Sequence, residues 1–248
     1  MRWNAPSNVT YQFGPGAMTP AVKAILLANV AVWLLTLAAP NLIVGLFGLT
    51  PAAVLTQGRL WQVATYLFVH EPRAIGHILF NMLDVWMFGV ELERRWGTQA
   101  FTRYFFIVGI GAGICVILAS FLPLASAQLA YLVPTIGASG ACYGLLLAWA
   151  MVFPHRQILF MLIFPINARV FALLMGVIAF FYVASDAGGP VSNVAHLGGL
   201  LIGYLYLKGP GNFRLDLQYQ LARWRMARMR RKFDVHRGGR GGWNDRVH

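Results

Sequence analysis

Long apolar stretches alternate with short polar, charged or Gly/Pro-rich breaks along most of the 248-residue chain. Asp, Glu, Lys and Arg are absent between Lys23 and Arg59, and again between Arg103 and Arg156. Because a membrane-spanning helix needs about 20 apolar residues, this pattern predicts an all-α membrane protein with six transmembrane helices. We expect these helices at residues 20–39, 75–90, 103–122, 137–153, 168–185 and 191–207.

Two of the predicted connections are too apolar for ordinary solvated loops. Residues 41–72 carry only two charges, on Arg59 and Glu71, and residues 158–165 are apolar and broken by Pro165. We therefore expect the first connection to lie partly in the membrane interface. The second is expected to form an interfacial turn before the fifth helix.

Positive charges are distributed unevenly between the two sides of the predicted bundle. The connections after the first, third and fifth helices hold only Arg59 and Arg73. Those after the second, fourth and sixth helices hold Arg94, Arg95, Arg103, Arg156, Arg169, Lys208 and the cations of the tail. Since cytoplasmic connections are enriched in Lys and Arg, both termini are predicted to be cytoplasmic. The predicted organisation is an N-terminal cytoplasmic segment (1–19), a six-helix domain (20–208) and a basic cytoplasmic tail (209–248).

The formal net charge of +12 comes mainly from this tail, whose 40 residues contain ten Arg or Lys and three Asp. A polybasic segment that follows a membrane helix favours contact with anionic lipid, and residues 215–232 have the composition of a basic amphipathic helix. No nucleic-acid-binding motif is recognisable in the tail. We therefore expect membrane lipid, and no nucleic acid, as its partner.

The two cysteines and the N-terminus narrow the predicted class further. Cys115 and Cys142 lie inside apolar stretches, where a free cysteine behaves as a small hydrophobe. Neither a disulfide framework nor a CxxC site follows, and we expect no metal and no cofactor. Residues 1–20 lack the apolar core of a cleaved signal peptide.

Three side chains with catalytic chemistry lie near the starts of predicted helices. His77, Ser139 and His196 belong to the second, fourth and sixth helices, which all run from outside to inside in the predicted topology. Polar groups are costly within a membrane and often functional. The three side chains are therefore expected at similar depth, near the outer third of the bilayer.

Ser139 and His196 are each followed by two glycines four residues apart. Such stripes allow membrane helices to approach closely, so the fourth and sixth helices are expected to bring the hydroxyl and the imidazole within hydrogen-bond distance. The glycines assigned to this helix packing are Gly137, Gly140, Gly144, Gly199 and Gly203.

A serine hydroxyl becomes an effective nucleophile when a neutral imidazole takes its proton. Backbone N–H groups at the helix start of Ser139 are suited to an oxyanion, and His77 and Asn81, four residues apart, can add side-chain donors. No carboxylate is placed to orient His196, which favours a dyad over a triad. Each residue also has a structural interpretation, as a helix cap, a polar bridge or, for Asp84, a buried carboxyl.

These residues resemble the motifs of the rhomboid family of intramembrane serine proteases. Residues 137–140 are similar to its GxSG motif, residues 195–203 to its AHxxGxxxG motif and residues 77–81 to its HxxxN motif. The resemblance covers about residues 61–203. The roles that it implies are nucleophile for Ser139, base for His196, oxyanion donors for His77 and Asn81, and packing against the histidine for Tyr143.

The resemblance implies a serine endopeptidase that cleaves transmembrane segments of membrane proteins near their outer end, and we expect it in the plasma membrane of a bacterium. Two positions depart from the family pattern. The usual Trp-Arg pair is replaced by Trp61-Gln62, which brings the rigidity of the first external loop into question. Asp84 is not a familiar family feature, and we expect a structural role for it.

The alternative function is a catalytically silent rhomboid-like protein that binds membrane clients, although both Ser139 and His196 are present. A transporter that relays protons through His77, Asp84 and His196 is disfavoured because the chain lacks a matching pair of broken helices. A metalloprotease is disfavoured because the HExxH motif is absent.

Overall fold

The computed structural model describes residues 14–123, 130–160, 164–185 and 190–209. Most of these residues are helical, and two short strands form a hairpin. The helices include α1 (Pro20–Ala38), α2 (Pro40–Phe47), α3 (Pro51–Gln57), α4 (Gln62–Thr65), α5 (Ile75–Trp96), α6 (Thr98–Ala119), α7 (Ser139–Val152), α8 (Ala168–Ala184) and α9 (Pro190–Lys208). The strands are β1 (Gln157–Phe160) and β2 (Phe164–Asn167).

Helices α1, α5 and α6 are long and apolar enough to cross a membrane. Helices α7 and α8 are apolar but shorter, with 14 and 17 residues, and α9 has 19 residues. All of these helices lie where the sequence predicts membrane spans. The part of the predicted N-terminal segment before residue 14, and the tail after residue 209 with the amphipathic helix predicted in it, lie outside the described residues.

Helix α5 is longer than its sequence predicts. It continues beyond residue 90 through the charged segment to Trp96, and α6 begins directly after Gly97, at Thr98 instead of residue 103. The carboxylate of Glu93 explains this, because it accepts hydrogen bonds from the Thr98 hydroxyl (2.7 Å) and from two backbone N–H groups in the first turn of α1 (both 3.0 Å). The end of α5 is thereby fastened to the start of α1, so the two helices are antiparallel.

The apolar connection 41–72 is largely helical, with α2, α3, α4 and a 3₁₀ turn at Tyr66–Phe68. The last carbonyl groups of a helix receive no hydrogen bond from within the helix. Those of α2 accept hydrogen bonds from side chains that follow α3. These bonds join Arg59 to the carbonyl of Gly45 (3.0 Å), Trp61 to that of Leu46 (2.9 Å) and Thr65 to that of Phe47 (2.8 Å).

Gln62 is fully buried in this connection. Its Oε1 atom accepts a hydrogen bond from the N–H of Thr50 (3.1 Å), and its Nε2 atom donates to the carbonyls of Gly45 (3.2 Å) and Leu46 (3.3 Å). Both ends of the amide are therefore bonded. Gln62 therefore ties α2 to the segment before α3. The connection is anchored although Gln62 stands where the family pattern has Arg.

The connection between α7 and α8 is an antiparallel hairpin in which Gln157 pairs with Asn167 and Phe160 with Phe164. The sequence predicts a turn here and no strand, because a continuous apolar run shows no alternation of period two. The all-α prediction is therefore wrong in this connection. At the base of the hairpin, the N–H of Ala168 donates to the carbonyl of Arg156 (2.8 Å).

Helix α7 packs against α5, α6 and α8. It also contacts the backbone of α9, because a β-carbon on Gly199 would lie only 1.9 Å from the carbonyl oxygen of Gly140. A β-carbon on Gly144 would lie 3.2 Å from the carbonyl oxygen of Gly199. Only glycine at position 199 allows this approach, so the two glycine stripes set the distance between α7 and α9.

Candidate active site

Ser139 is the first residue of α7 and is half-buried. The loop before it is held on the connection 41–72, because the N–H of Gly137 donates to the carbonyl of Tyr66 (3.0 Å) and Thr135 forms a β-bridge with Leu49. The first N–H groups of a helix have no acceptor within the helix. The start of α7 therefore presents a hydroxyl and backbone donors together.

His196 faces Ser139 from α9. Its Nε2 atom lies 2.9 Å from the Oγ atom of Ser139, which is hydrogen-bond distance. This geometry follows from the contact between the helix backbones, since Gly140 directly follows Ser139 and Gly199 lies three residues after His196. The structure thus joins the two residues that the sequence proposes as nucleophile and base.

Tyr143 lies one helical turn after Ser139, and its ring stacks on that of His196 with centroids 4.2 Å apart and planes 5° apart. The other ring nitrogen of His196, Nδ1, is buried and has no hydrogen-bond partner in the described part of the chain. Among the residues that the structure describes, the contact that positions this imidazole beside Ser139 is its stacking on Tyr143.

His77 lies in the first turn of α5. Its Nδ1 atom accepts a hydrogen bond from the backbone N–H of Glu71 (3.3 Å). A ring nitrogen that accepts carries no proton, so the neutral imidazole has its proton on Nε2. That atom is close to the loop before Ser139, because a β-carbon on Gly137 would lie 2.6 Å from it. His77 thus directs an N–H donor toward this loop.

His70 supports His77 from the connection that precedes α5. It is fully buried, and its ring centroid lies 5.0 Å from that of His77. Burial, followed by the proximity of His77, lowers the pKa of His70 from 6.5 to about 4. His70 is therefore uncharged at neutral pH and packs against His77 without adding a positive charge.

Asn81 lies one helical turn after His77 and is buried. One N–H of its amide donates to the carbonyl of His77 (2.7 Å), and its Oδ1 atom lies 3.5 Å from the Sγ atom of Cys142. Because the amide nitrogen carries two hydrogens, one remains for a further acceptor. The sequence predicts Cys142 only as a small hydrophobe, although its position three residues after Ser139 places it near the site.

Gly137 differs from the other glycines assigned to helix packing. Gly140, Gly144, Gly199 and Gly203 lie where α7 meets α9, whereas Gly137 lies before α7 and against His77. Its φ of 112° lies in the left-handed region that side chains other than hydrogen disfavour. Gly137 therefore shapes the approach to Ser139.

The arrangement combines a hydroxyl, an imidazole within hydrogen-bond distance, and N–H donors from His77, Asn81 and the start of α7. These are the components of acyl transfer through an activated serine. Among the described residues no group of His, Cys, Asp or Glu could hold a metal ion.

The family model described as the Rhomboid domain matches residues 57–209, which contain all of these side chains. The chain belongs to the rhomboid family. It is similar to Rhomboid protein 1, mitochondrial, of Saccharomyces cerevisiae, with 33% identity over 135 residues, 52% of this chain and 36% of that protein. It is also similar to Rhomboid protease GluP of Bacillus subtilis, with 28% identity over 160 residues, 64% of this chain and 27% of that protein.

A third rhomboid relative, Rhomboid-like protease 1 of Toxoplasma gondii, is 28% identical over 166 residues, 64% of this chain and 50% of its own length. The chain thus spans half or less of the length of these three relatives. Two of the three are named proteases. The chain is therefore a membrane protein of a family that includes proteases.

Proposed function

We propose that this rhomboid protein is an intramembrane serine endopeptidase that cleaves transmembrane segments of other membrane proteins. The single observation that carries the proposal is the 2.9 Å distance between Nε2 of His196 and Oγ of Ser139, at a helix start that supplies backbone donors. The names of two relatives support the same reaction class.

Acylation begins when the Oγ atom of Ser139 attacks the carbonyl carbon of the scissile peptide bond. The Nε2 atom of His196 accepts the hydroxyl proton, and the carbonyl oxygen becomes an oxyanion in the tetrahedral intermediate. The C–N bond then breaks, and His196 gives the proton to the leaving amine. An ester on Ser139 and a new amino terminus result.

Deacylation reverses these roles with water as the nucleophile. His196 takes a proton from water, the hydroxide attacks the ester carbonyl, and the second tetrahedral intermediate releases the carboxylate product. His196 returns the proton to Oγ of Ser139. Because His196 alternates between base and acid, its Nε2 atom must stay within reach of Ser139, and stacking on Tyr143 provides that restraint.

The oxyanion is stabilised by donors that are already in place. The Nε2–H of His77 is fixed by the backbone N–H of Glu71 on the opposite nitrogen, and Asn81 retains one amide hydrogen. Removal of one such donor typically lowers kcat about 10²–10³-fold. Together with the first N–H groups of α7, these side chains form the proposed oxyanion hole.

We place this site near the outer face of a six-helix bundle (residues 20–208), with the N-terminal segment (1–19) and the basic tail (209–248) in the cytoplasm. The meeting of His77, Ser139 and His196, each near the start of its helix, supports a common direction for α5, α7 and α9. Arg94 and Arg95 at the end of α5 support the orientation. The proposed location is a bacterial plasma membrane, with the tail on anionic lipid.

The proposal is tested by cleavage of a generic single-span substrate in proteoliposomes. Ser139→Ala and His196→Ala are expected to abolish cleavage, because each removes one half of the dyad. Ser185→Ala and His155→Ala are matched controls, since both side chains are exposed and lie outside the site. Cleavage that persists in both dyad variants at the wild-type rate would refute the assignment.

A further inference from the structure

Asp84 is an ionisable residue within a membrane-spanning helix that the proposed chemistry does not use. It lies in the middle of α5 and is half-buried. No hydrogen bond or ion pair joins its carboxyl to another residue in the described ranges. Carboxyl groups at membrane depth are costly and usually functional, so a carboxyl without a partner among the described residues is a candidate to bind a group from another molecule.

The position of Asp84 around α5 suggests where that partner comes from. Successive helix residues are rotated by about 100°, so Asp84 lies about 40° from Phe80 on one side and about 60° from Asn81 on the other. Phe80 is 66% exposed and Asn81 is 5% exposed. Asp84 therefore lies on the border between the exposed apolar face of α5 and the face that carries the oxyanion donors.

The depth of Asp84 relates it to the dyad. It lies three residues after Asn81, which is about 4.5 Å farther along the helix. On α5, Asn81 contacts Cys142 of α7, with 3.5 Å between Oδ1 and Sγ, and the neighbouring Tyr143 of α7 stacks on His196. Along α5 the carboxyl thus lies beyond the proposed oxyanion donors, toward the end of the helix that we place on the inner side of the membrane.

We propose that Asp84 is a specificity-determining residue that selects transmembrane substrates with a hydrogen-bond-donating side chain a few residues on the inner side of the cut. This inference rests on the proposed protease function. An unpaired polar group in an apolar environment is unfavourable on either partner. A donor on the substrate and the carboxyl of Asp84 would each satisfy the other when the segment reaches Ser139.

The chain conformation of the substrate sets the range of positions to examine. Asp84 lies about 4.5 Å beyond Asn81 and about 10 Å beyond His77 at the helical rise of 1.5 Å per residue. These distances correspond to about one to three residues of extended substrate, or to about three to seven of helical substrate. A single Asn is therefore scanned through the first seven positions on the inner side of the cut.

The test measures kcat/KM in proteoliposomes for a leucine-rich single-span substrate and for its single-Asn derivatives. Gly at the same positions controls for easier unwinding, because it loosens the helix and offers no side-chain donor. We expect the wild-type protein to cleave the Asn derivative about tenfold faster than the Leu parent at one or two neighbouring positions, as for one satisfied polar group. In Asp84→Leu the ratio of Asn to Leu should fall to about one, and Asp84→Asn should retain part of it.

The inference is overturned if the wild-type protein shows no preference for Asn at any position, or if Gly produces the same preference. It is also overturned if Asp84→Leu cleaves every substrate more slowly but keeps the ratio, because Asp84 would then act only on the dyad. If Ser139→Ala cleaves as fast as the wild-type protein, or if the wild-type protein cleaves none of the substrates, the proposed function itself is refuted. Ser139-dependent cleavage without a preference removes only the role of Asp84.

Discussion

Gly140 and Gly199 bring the backbones of α7 and α9 into direct contact. A β-carbon on Gly199 would lie 1.9 Å from the carbonyl oxygen of Gly140, which is far inside van der Waals contact. Ser139 directly precedes Gly140, and His196 lies three residues before Gly199. The contact between the glycines therefore sets the distance between the hydroxyl and the imidazole.

Gly199→Ala is expected to reduce cleavage about 100-fold or more, because displacement of reacting groups by about 1 Å has an effect of that size. The added methyl group must push α9 away from α7, and this also separates His196 from Ser139. The measurements are kcat for a transmembrane substrate and the melting temperature in detergent.

Gly45→Ala is the matched control, since a β-carbon at Gly45 meets nothing within 4 Å. It should keep both kcat and the melting temperature of the wild-type protein. A Gly199→Ala variant with wild-type kcat would show that the helix contact does not position the dyad.

Gln62→Ala is expected to destabilise the protein by about 1–3 kcal/mol, because it leaves the buried N–H of Thr50 without its acceptor and removes a donor from two carbonyls. The free energy of unfolding, measured in mixed micelles, provides the test. Gln57→Ala is the matched control, because Gln57 is an exposed residue at the end of α3. Equal stability of the two variants would contradict the anchoring role of Gln62.

His77→Ala and Asn81→Ala are each expected to lower kcat about 10²–10³-fold while KM changes little, because the donors act on charge that develops in the transition state. Measurement of kcat and KM for both variants tests this expectation. Asn41→Ala, at an exposed position in α2, is the matched control for the loss of an amide side chain. An increase in KM with unchanged kcat would assign the two side chains to substrate binding instead.

Acidification is expected to destabilise the folded protein through His70. Its pKa is 6.5 in the unfolded chain and about 4 in the fold, where burial lowers it. Between these values the unfolded chain binds more protons, so stability is lost as the pH falls from 6.5 toward 4. The contribution is roughly 2 kcal/mol at pH 5 relative to pH 7.5.

The test compares the change in unfolding free energy between pH 7.5 and pH 5 for the wild-type protein and for His70→Gln. The variant lacks this titrating group, so its stability should decrease less over the same interval. An identical decrease in both proteins would contradict the assigned pKa of the buried imidazole.

The sequence is sufficient to propose the dyad, because its signals are local. Glycines four residues apart adjoin both Ser139 and His196, and the number of apolar stretches predicts a common direction for their helices. The same reasoning identifies His77 and Asn81 from their spacing of four residues. It also locates the spans, since hydropathy depends on composition rather than on tertiary contacts.

Other features depend on contacts between distant segments and could not be predicted. Gln62 is an anchor only because the end of α2 lies against it, and the proton of His77 is located only by the backbone N–H of Glu71. The continuation of α5 to Trp96 requires the contact of Glu93 with the start of α1. The hairpin could not be predicted, because a fully apolar run lacks the alternation of apolar and polar residues that indicates a strand.

The most direct test of the central claim is covalent labelling of the detergent-solubilised protein with a fluorophosphonate, followed by mass spectrometry of the labelled peptide. We predict that the label lies on Ser139, that His196→Ala slows labelling at least about 100-fold, and that Ser139→Ala abolishes it. Folded wild-type protein without label on Ser139, or with labelling independent of His196, would contradict an activated serine and favour a protein that binds membrane clients without cleaving them.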